Sequence, residues 1–146
     1  MATPYETVFN SFLSKIRDMD LAIFSDEDIE NTCLGYLNEA LLYIRASSLK
    51  FKSDWEVNPD MDEFVDDLDP MEIEALAYIM VAAWYDTRIN SLEATNMVFG
   101  ASSDRWQDQA KWQAQMIKAR KNWLLEARNL FKNYNTLNNS YLENDT

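Results

Sequence analysis

Apolar residues recur at helical spacing in four stretches of this chain, and each stretch is preceded by a helix-start signal. Thr3-Pro4-Tyr5-Glu6 offers a capping hydroxyl, a proline suited to the first helical position and a glutamate at the third. A helix is predicted from there to about Arg17, with Val8, Phe12 and Ile16 on one stripe and Phe9 and Leu13 beside it. Ser25-Asp26-Glu27-Asp28 opens a second helix, its acidic residues suited to the positive end of the helix dipole. Ile29, Cys33, Leu37, Leu41 and Ile44 form its seam, broadened by Leu34 and Ala40, and the helix is expected to reach Phe51. Gly35 sits inside it and weakens it by roughly 1 kcal/mol relative to alanine, which suggests a close approach by a neighbouring helix.

From Ser53 to Leu68 the pattern breaks. Asp54, Glu56, Asp60, Asp62, Glu63, Asp66 and Asp67 fall here around Pro59 without a basic residue. Such a block predicts a solvated loop, with at most a short helical turn holding Phe64 and Val65. Asp69-Pro70-Met71-Glu72 then repeats the opening logic: capping carboxylate, proline, glutamate three residues on. The third helix, Met71 to about Leu92, is apolar around most of its circumference through Ile73, Leu76, Ala77, Ile79, Met80, Val81, Ala83 and Trp84. A helix of that kind must be surrounded by others.

Asn96 to Ser103 carries Gly100 and two serines and reads as a connection. The last helix is expected from Asp104 to about Tyr134, with Trp106, Trp112, Met116, Trp123, Leu124, Ala127 and Phe131 among its apolar positions. At about 30 residues it would span roughly 45 Å, more than a compact domain of this size needs. The asparagine-rich residues 135–146 read as an extended tail. No internal repeat or strand-type alternation stands out. The expected fold is all-α, a bundle of about four helices over residues 1–134 with a long C-terminal helix and a tail.

Composition narrows the function. Among 146 residues there is no histidine, one cysteine and two glycines, but five tryptophans. Imidazole acid–base chemistry, histidine or clustered-cysteine metal sites and glycine-rich phosphate loops are therefore out of reach. Large aromatic side chains instead suit cores and protein interfaces. A lone Cys33 builds no intramolecular disulfide, and no run of about 18 apolar residues could span a bilayer. With no leader-like opening, a soluble cytosolic chain is expected.

The acidic block starts as Asp60-x-Asp62 but puts Phe64 and Val65 where a calcium loop needs a ligand and a glycine. Di-iron carboxylate bundles need histidine. A glycosidase-type carboxylate pair would need a pocket that sequence does not locate. No catalytic residue, cofactor or metal is assigned, and an enzyme using carboxylates alone remains only as a rival.

Net charge is −12, which argues against simple phosphate-neutralising DNA binding. The charge is also divided. Ser53 to Glu74 is wholly acidic among its charged residues, whereas Arg105, Lys111, Lys118, Arg120, Lys121, Arg128 and Lys132 fall on the last helix. In a monomer this division packs one patch on another; between copies it would set register and partner choice. Trp106, Trp112, Arg120, Lys121 and Arg128 are candidates for a subunit or partner face, against the alternatives of core packing and a base-stacking platform. Asp60, Asp62, Glu63, Asp66 and Asp67 are candidates for an acidic patch that repels DNA or receives a basic partner.

The order of these elements resembles the head–tail connector (adaptor) proteins of tailed bacteriophages. The resemblance is carried by Ser25-Asp26-Glu27-Asp28-Ile29 leading into Tyr36-Leu37-Asn38-Glu39-Ala40-Leu41-Leu42-Tyr43-Ile44. It continues with the run from Met71 to Tyr85, then a long final helix and a tail. The long acidic stretch between them departs from the pattern. The resemblance implies a structural, non-enzymatic virion protein of the neck, assembled in the host cytoplasm. About a dozen copies would form a ring, joining the portal protein to head-closure and tail proteins around a channel that DNA crosses without specific binding. It also implies a C-terminal segment that docks on the portal, here Tyr134, Leu137, Tyr141 and Leu142. The alternative is an acidic helical-bundle adaptor, in the manner of a DNA mimic, that binds one basic protein. Neither reading involves a membrane.

Overall fold

A computed structural model describes the backbone of residues 2–16, 26–47, 49, 53–99 and 103–144, and the side chains of 2–16, 27–47, 49, 53–90 and 110–133. Four helices carry the described fold: α1 Tyr5–Lys15, α2 Asp26–Ser47, α3 Pro70–Phe99 and α4 Ser103–Asn144. Helix α3 is the central element and packs against the other three, most extensively against α4. Every residue from Ala75 to Ala83 except Tyr78 is buried, as an all-round apolar helix requires.

The seam expected on α2 is buried through Cys33, Leu37, Ala40, Leu41 and Ile44, with Ile29 and Leu34 half-covered at its edges. Val8, Phe9, Phe12 and Ile16 close the core from the α1 side, and Ala127 and Phe131 from α4. Aromatic contacts join the layers. Phe12 meets Tyr36 at 5.6 Å, Tyr78 meets Trp123 at 5.2 Å and Trp55 meets Phe131 at 6.2 Å between ring centroids.

Several boundaries differ from those expected. Helix α1 stops at Lys15 because Ile16 turns extended. Helix α2 stops at Ser47, while Ser25, Arg17 and Phe51 lie outside the described residues. Helix α3 continues to Phe99, because serine and asparagine are weak breakers and Gly100 is the first residue past its end. Helix α4 runs 42 residues, about 63 Å at the ordinary helical rise. Residues 135–144, expected as an extended tail, continue this helix. Neither proline nor glycine interrupts 103–144, and Leu137 and Tyr141 keep a four-residue spacing.

The acidic stretch is not a plain loop. Val57–Asn58 (β1) and Glu63–Phe64 (β2) form a small antiparallel hairpin, with Val57 opposite Phe64 and Asn58 opposite Glu63. The helical turn falls at Pro59–Met61, ahead of Phe64, and Val65 is exposed while Phe64 is fully buried. Two-residue strands are too short to show alternation, which is why no strand was legible.

Gly35 also corrects an expectation. It is exposed, and a Cβ built on it would meet nothing within 4 Å. No helix among the described residues approaches it closely, so the close-packing explanation fails there.

Candidate functional site

The hairpin is locked to the start of the chain by backbone bonds. Phe64 N donates to Thr3 O at 2.8 Å, Tyr5 N to Asp62 O at 2.9 Å and Thr3 N to Asp66 O at 3.3 Å. Thr3 is buried, and its hydroxyl accepts from Leu68 N at 2.8 Å and donates to Asp67 Oδ1 at 3.4 Å. This corrects its expected role. Thr3 does not cap α1, whose N-cap position is Pro4 with no side-chain cap; it staples the far end of the hairpin.

A second lock lies beneath the hairpin. Asp69 Oδ1 accepts from Met71 N at 3.0 Å, and Glu72 Oε1 accepts from Asp69 N at 2.9 Å, the reciprocal capping box expected at the start of α3. Glu72 does more than cap. It is fully buried, and its Oε2 accepts from the buried Ser53 N at 3.0 Å. Burial pushes the Glu72 carboxyl above its usual range, and the charges of Asp69 and Asp66 push the same way; the hydrogen bonds from Asp69 and Ser53 oppose them. Ser53 Oγ completes the lock by accepting from Trp55 N and donating to Asp66 Oδ2, both at 3.0 Å.

Trp55 sits at the junction with a positive φ of 63°, a strained backbone state for a bulky residue. Arg45 Nη2 donates to its carbonyl at 3.3 Å, and its ring packs on Phe131 of α4. Sequence reading missed Thr3, Ser53, Glu72's double role and Trp55. The available signal was a tryptophan stranded inside an acidic block, since so large an apolar residue seldom stays in water.

These locks engage one carboxylate oxygen each of Asp66 and Asp67 and leave the carboxylates of Asp60 and Asp62 in solvent. Asp60, Asp62, Asp66 and Asp67 are exposed and Glu63 is half-buried; Asp60, Asp62 and Glu63 lie on the hairpin, and Asp66 and Asp67 follow β2. They do not converge on a centre. Among the described residues, no group of three or more histidine, cysteine or acidic side chains could hold a metal ion.

The expected basic–aromatic face of α4 divides in two. Arg120 faces α3, its Nε 2.6 Å from Asp86 Oδ1, and Arg128 Nε donates to Tyr43 Oη on α2 at 2.9 Å. Those two arginines brace the bundle. Lys121 is exposed, and Trp112 leaves 61% of its surface to solvent. Trp106, Tyr134, Leu137, Tyr141 and Leu142 lie on the α4 backbone, and their side chains are outside the described residues.

One groove indents the described surface between α1, α2 and the hairpin tip, with a volume of about 580 Å³. Phe9, Leu13, Ile29 and Leu34 supply apolar walls, and Glu6, Glu30 and Asp62 supply carboxylates. Cys33 also borders it, its thiol pushed up to about 11 by burial and then by the charge of Glu30. A thiol in that state is not a nucleophile near neutral pH.

Neither protein-family models, nor curated proteins, nor solved structures gave a match to this chain.

Within this geometry the described residues offer two surfaces for binding: a rigid acidic hairpin and an exposed apolar–basic side of α4. No helix among the described residues is long and apolar enough to cross a membrane.

Proposed function

We propose that this chain is a structural head–tail connector of a tailed bacteriophage, a ring subunit that joins the portal to head-closure and tail proteins. The observation that carries the reading is the separation of acidic and basic charge between two surfaces. Solvated carboxylates project from a hairpin fastened on both sides, while cationic residues lie on a helix about 63 Å long. A ring needs this kind of division, because neighbouring copies meet through different patches. An acidic patch facing a channel would repel DNA phosphates and let the duplex slide.

The same hairpin favours the second reading, an adaptor that receives one basic protein as a DNA mimic. Its backbone is held by bonds to the start of the chain, so binding would order little of it. Mass photometry of the chain mixed with the portal protein of its own phage separates the two. A portal-bound ring supports the connector. A persistent monomer that ignores the portal, yet binds a basic protein until Asp62 and Asp66 are reversed in charge, supports the adaptor.

A further inference from the structure

We infer that the groove between α1 and α2 is the seat for the outer stripe of α4 from a second copy of this chain. This deepens the reading as a ring component and rests on it only for the closing of the contact into a cycle.

The donor stripe follows from helical spacing. Ile117, Lys121 and Leu125 are four residues apart, and Lys118 flanks them on the same side. Ile117 is 48% exposed and Leu125 54% exposed, and both lysines are exposed. No carboxylate among the described residues pairs with Lys118 or Lys121. This stripe begins beside the core-facing side of α4, where Ala127 and Phe131 are buried, and runs outward from it to Leu125.

The groove is the complement in shape and sign. Its apolar walls are bordered by Glu6, Glu30 and Asp62, and no cationic side chain among the described residues lines it. On α1 the lining runs from Tyr5 to Leu13, about 12 Å. Ile117 to Leu125 spans about 12 Å, so two turns of helix fit along it. An amphipathic helix laid in an apolar groove, with its cations meeting the rim, is an established mode of protein recognition.

The chain's own stripe cannot fill its own groove. Helix α4 is committed along α3 and clamped by the Arg120–Asp86 and Arg128–Tyr43 contacts, whereas the groove lies on α1 and α2. The contact therefore runs between copies, head to tail, and each copy keeps one free groove and one free stripe to extend the series.

Charge exchange tests this on the full chain. One variant carries Lys118→Glu and Lys121→Glu, the other Glu6→Lys and Glu30→Lys; all four side chains are exposed, and circular dichroism checks each fold. Sedimentation velocity should show concentration-dependent association of the native chain, and association weakened about tenfold or more in each variant alone. An equimolar mixture of the two variants should associate again, as should one chain carrying all four changes. A native chain that stays monomeric overturns the contact, as do variants that associate like the native chain or a mixture that stays apart. A ring on the portal formed equally well by both variants would refute the contact and leave the connector reading standing. Self-association rescued by exchange, with no portal binding, would do the reverse.

Discussion

Replacing Glu72 by alanine removes the acceptor for two backbone N–H groups at once. One is Ser53 N at 3.0 Å, inside the hairpin junction; the other is Asp69 N at 2.9 Å, at the start of α3. A buried donor left without a partner costs about 1–3 kcal/mol. Removing a desolvated carboxylate near Asp66 and Asp69 returns part of this, so the expected net loss is about 2–4 kcal/mol. Glu72→Gln keeps one carbonyl acceptor but turns an amide NH₂ towards the other donor, and about 1–2 kcal/mol is expected. Urea unfolding followed by tryptophan fluorescence measures both. The pH dependence has a definite sign. Because the folded-state carboxyl is raised, the folded chain holds this proton more tightly than the unfolded chain. Its contribution is therefore greatest below the ordinary carboxylate range, roughly pH 4.3, and declines as pH rises through the folded value. The gap between native chain and alanine variant should widen as pH falls from 7 towards that range. An alanine variant within about 0.5 kcal/mol of the native chain, or a gap that narrows on acidification, would refute the reasoning.

Gly35→Ala should stabilise the chain by about 0.5–1 kcal/mol, since the added methyl meets nothing and only helix propensity changes; calorimetry should show a Tm higher by roughly 2 °C. Phe131→Ala removes the ring that Trp55 packs on and should cost about 3–5 kcal/mol, whereas Trp112→Ala, on an exposed site, should stay within about 0.5 kcal/mol. Cys33 should resist a thiol reagent at pH 8 in the folded chain and react fully in denaturant, because burial both covers the sulfur and holds its pKa at about 11. The Lys15–Glu74 ion pair tethers α1 to α3 at 2.9 Å. Burial alone would raise the Glu74 carboxyl, but the bonds from Lys15 and Ser11 and the charge of Lys15 outweigh it and lower it. Its contribution is present above the ordinary carboxylate range and fades as pH falls through the lowered value, so the cost of Glu74→Gln, read by urea unfolding, should be largest at pH 7 and shrink on acidification.

The helices and their core were largely legible because periodicity and capping are local properties. The Asp69–Glu72 capping box and the α2 seam from Cys33 to Ile44 could be placed residue by residue. What escaped depends on contacts distant in sequence. Thr3 reads as a helix cap from its neighbours, but its partners are 64 and 65 residues away. Glu72 reads as a cap and is one, yet its bond to Ser53 depends on how the chain returns from α2. Gly35 reads as a packing device, and only the empty space around it shows otherwise. Helix ends were missed where weak breakers let α3 and α4 continue. Of the expected functional residues, Asp60, Asp62 and Glu63 share the hairpin and Asp66 and Asp67 follow it, whereas Arg120 and Arg128 are occupied by Asp86 and Tyr43. Helical spacing alone could not tell which side of α4 the bundle would take.

Copy counting in purified particles goes to the heart of the connector proposal. If the proposal holds, quantitative mass spectrometry of phage particles from the source of this chain should find it retained after stringent purification, at about a dozen copies per portal ring. Particles that are complete and infectious without it, or that hold it only in trace amounts, would contradict a place in the neck.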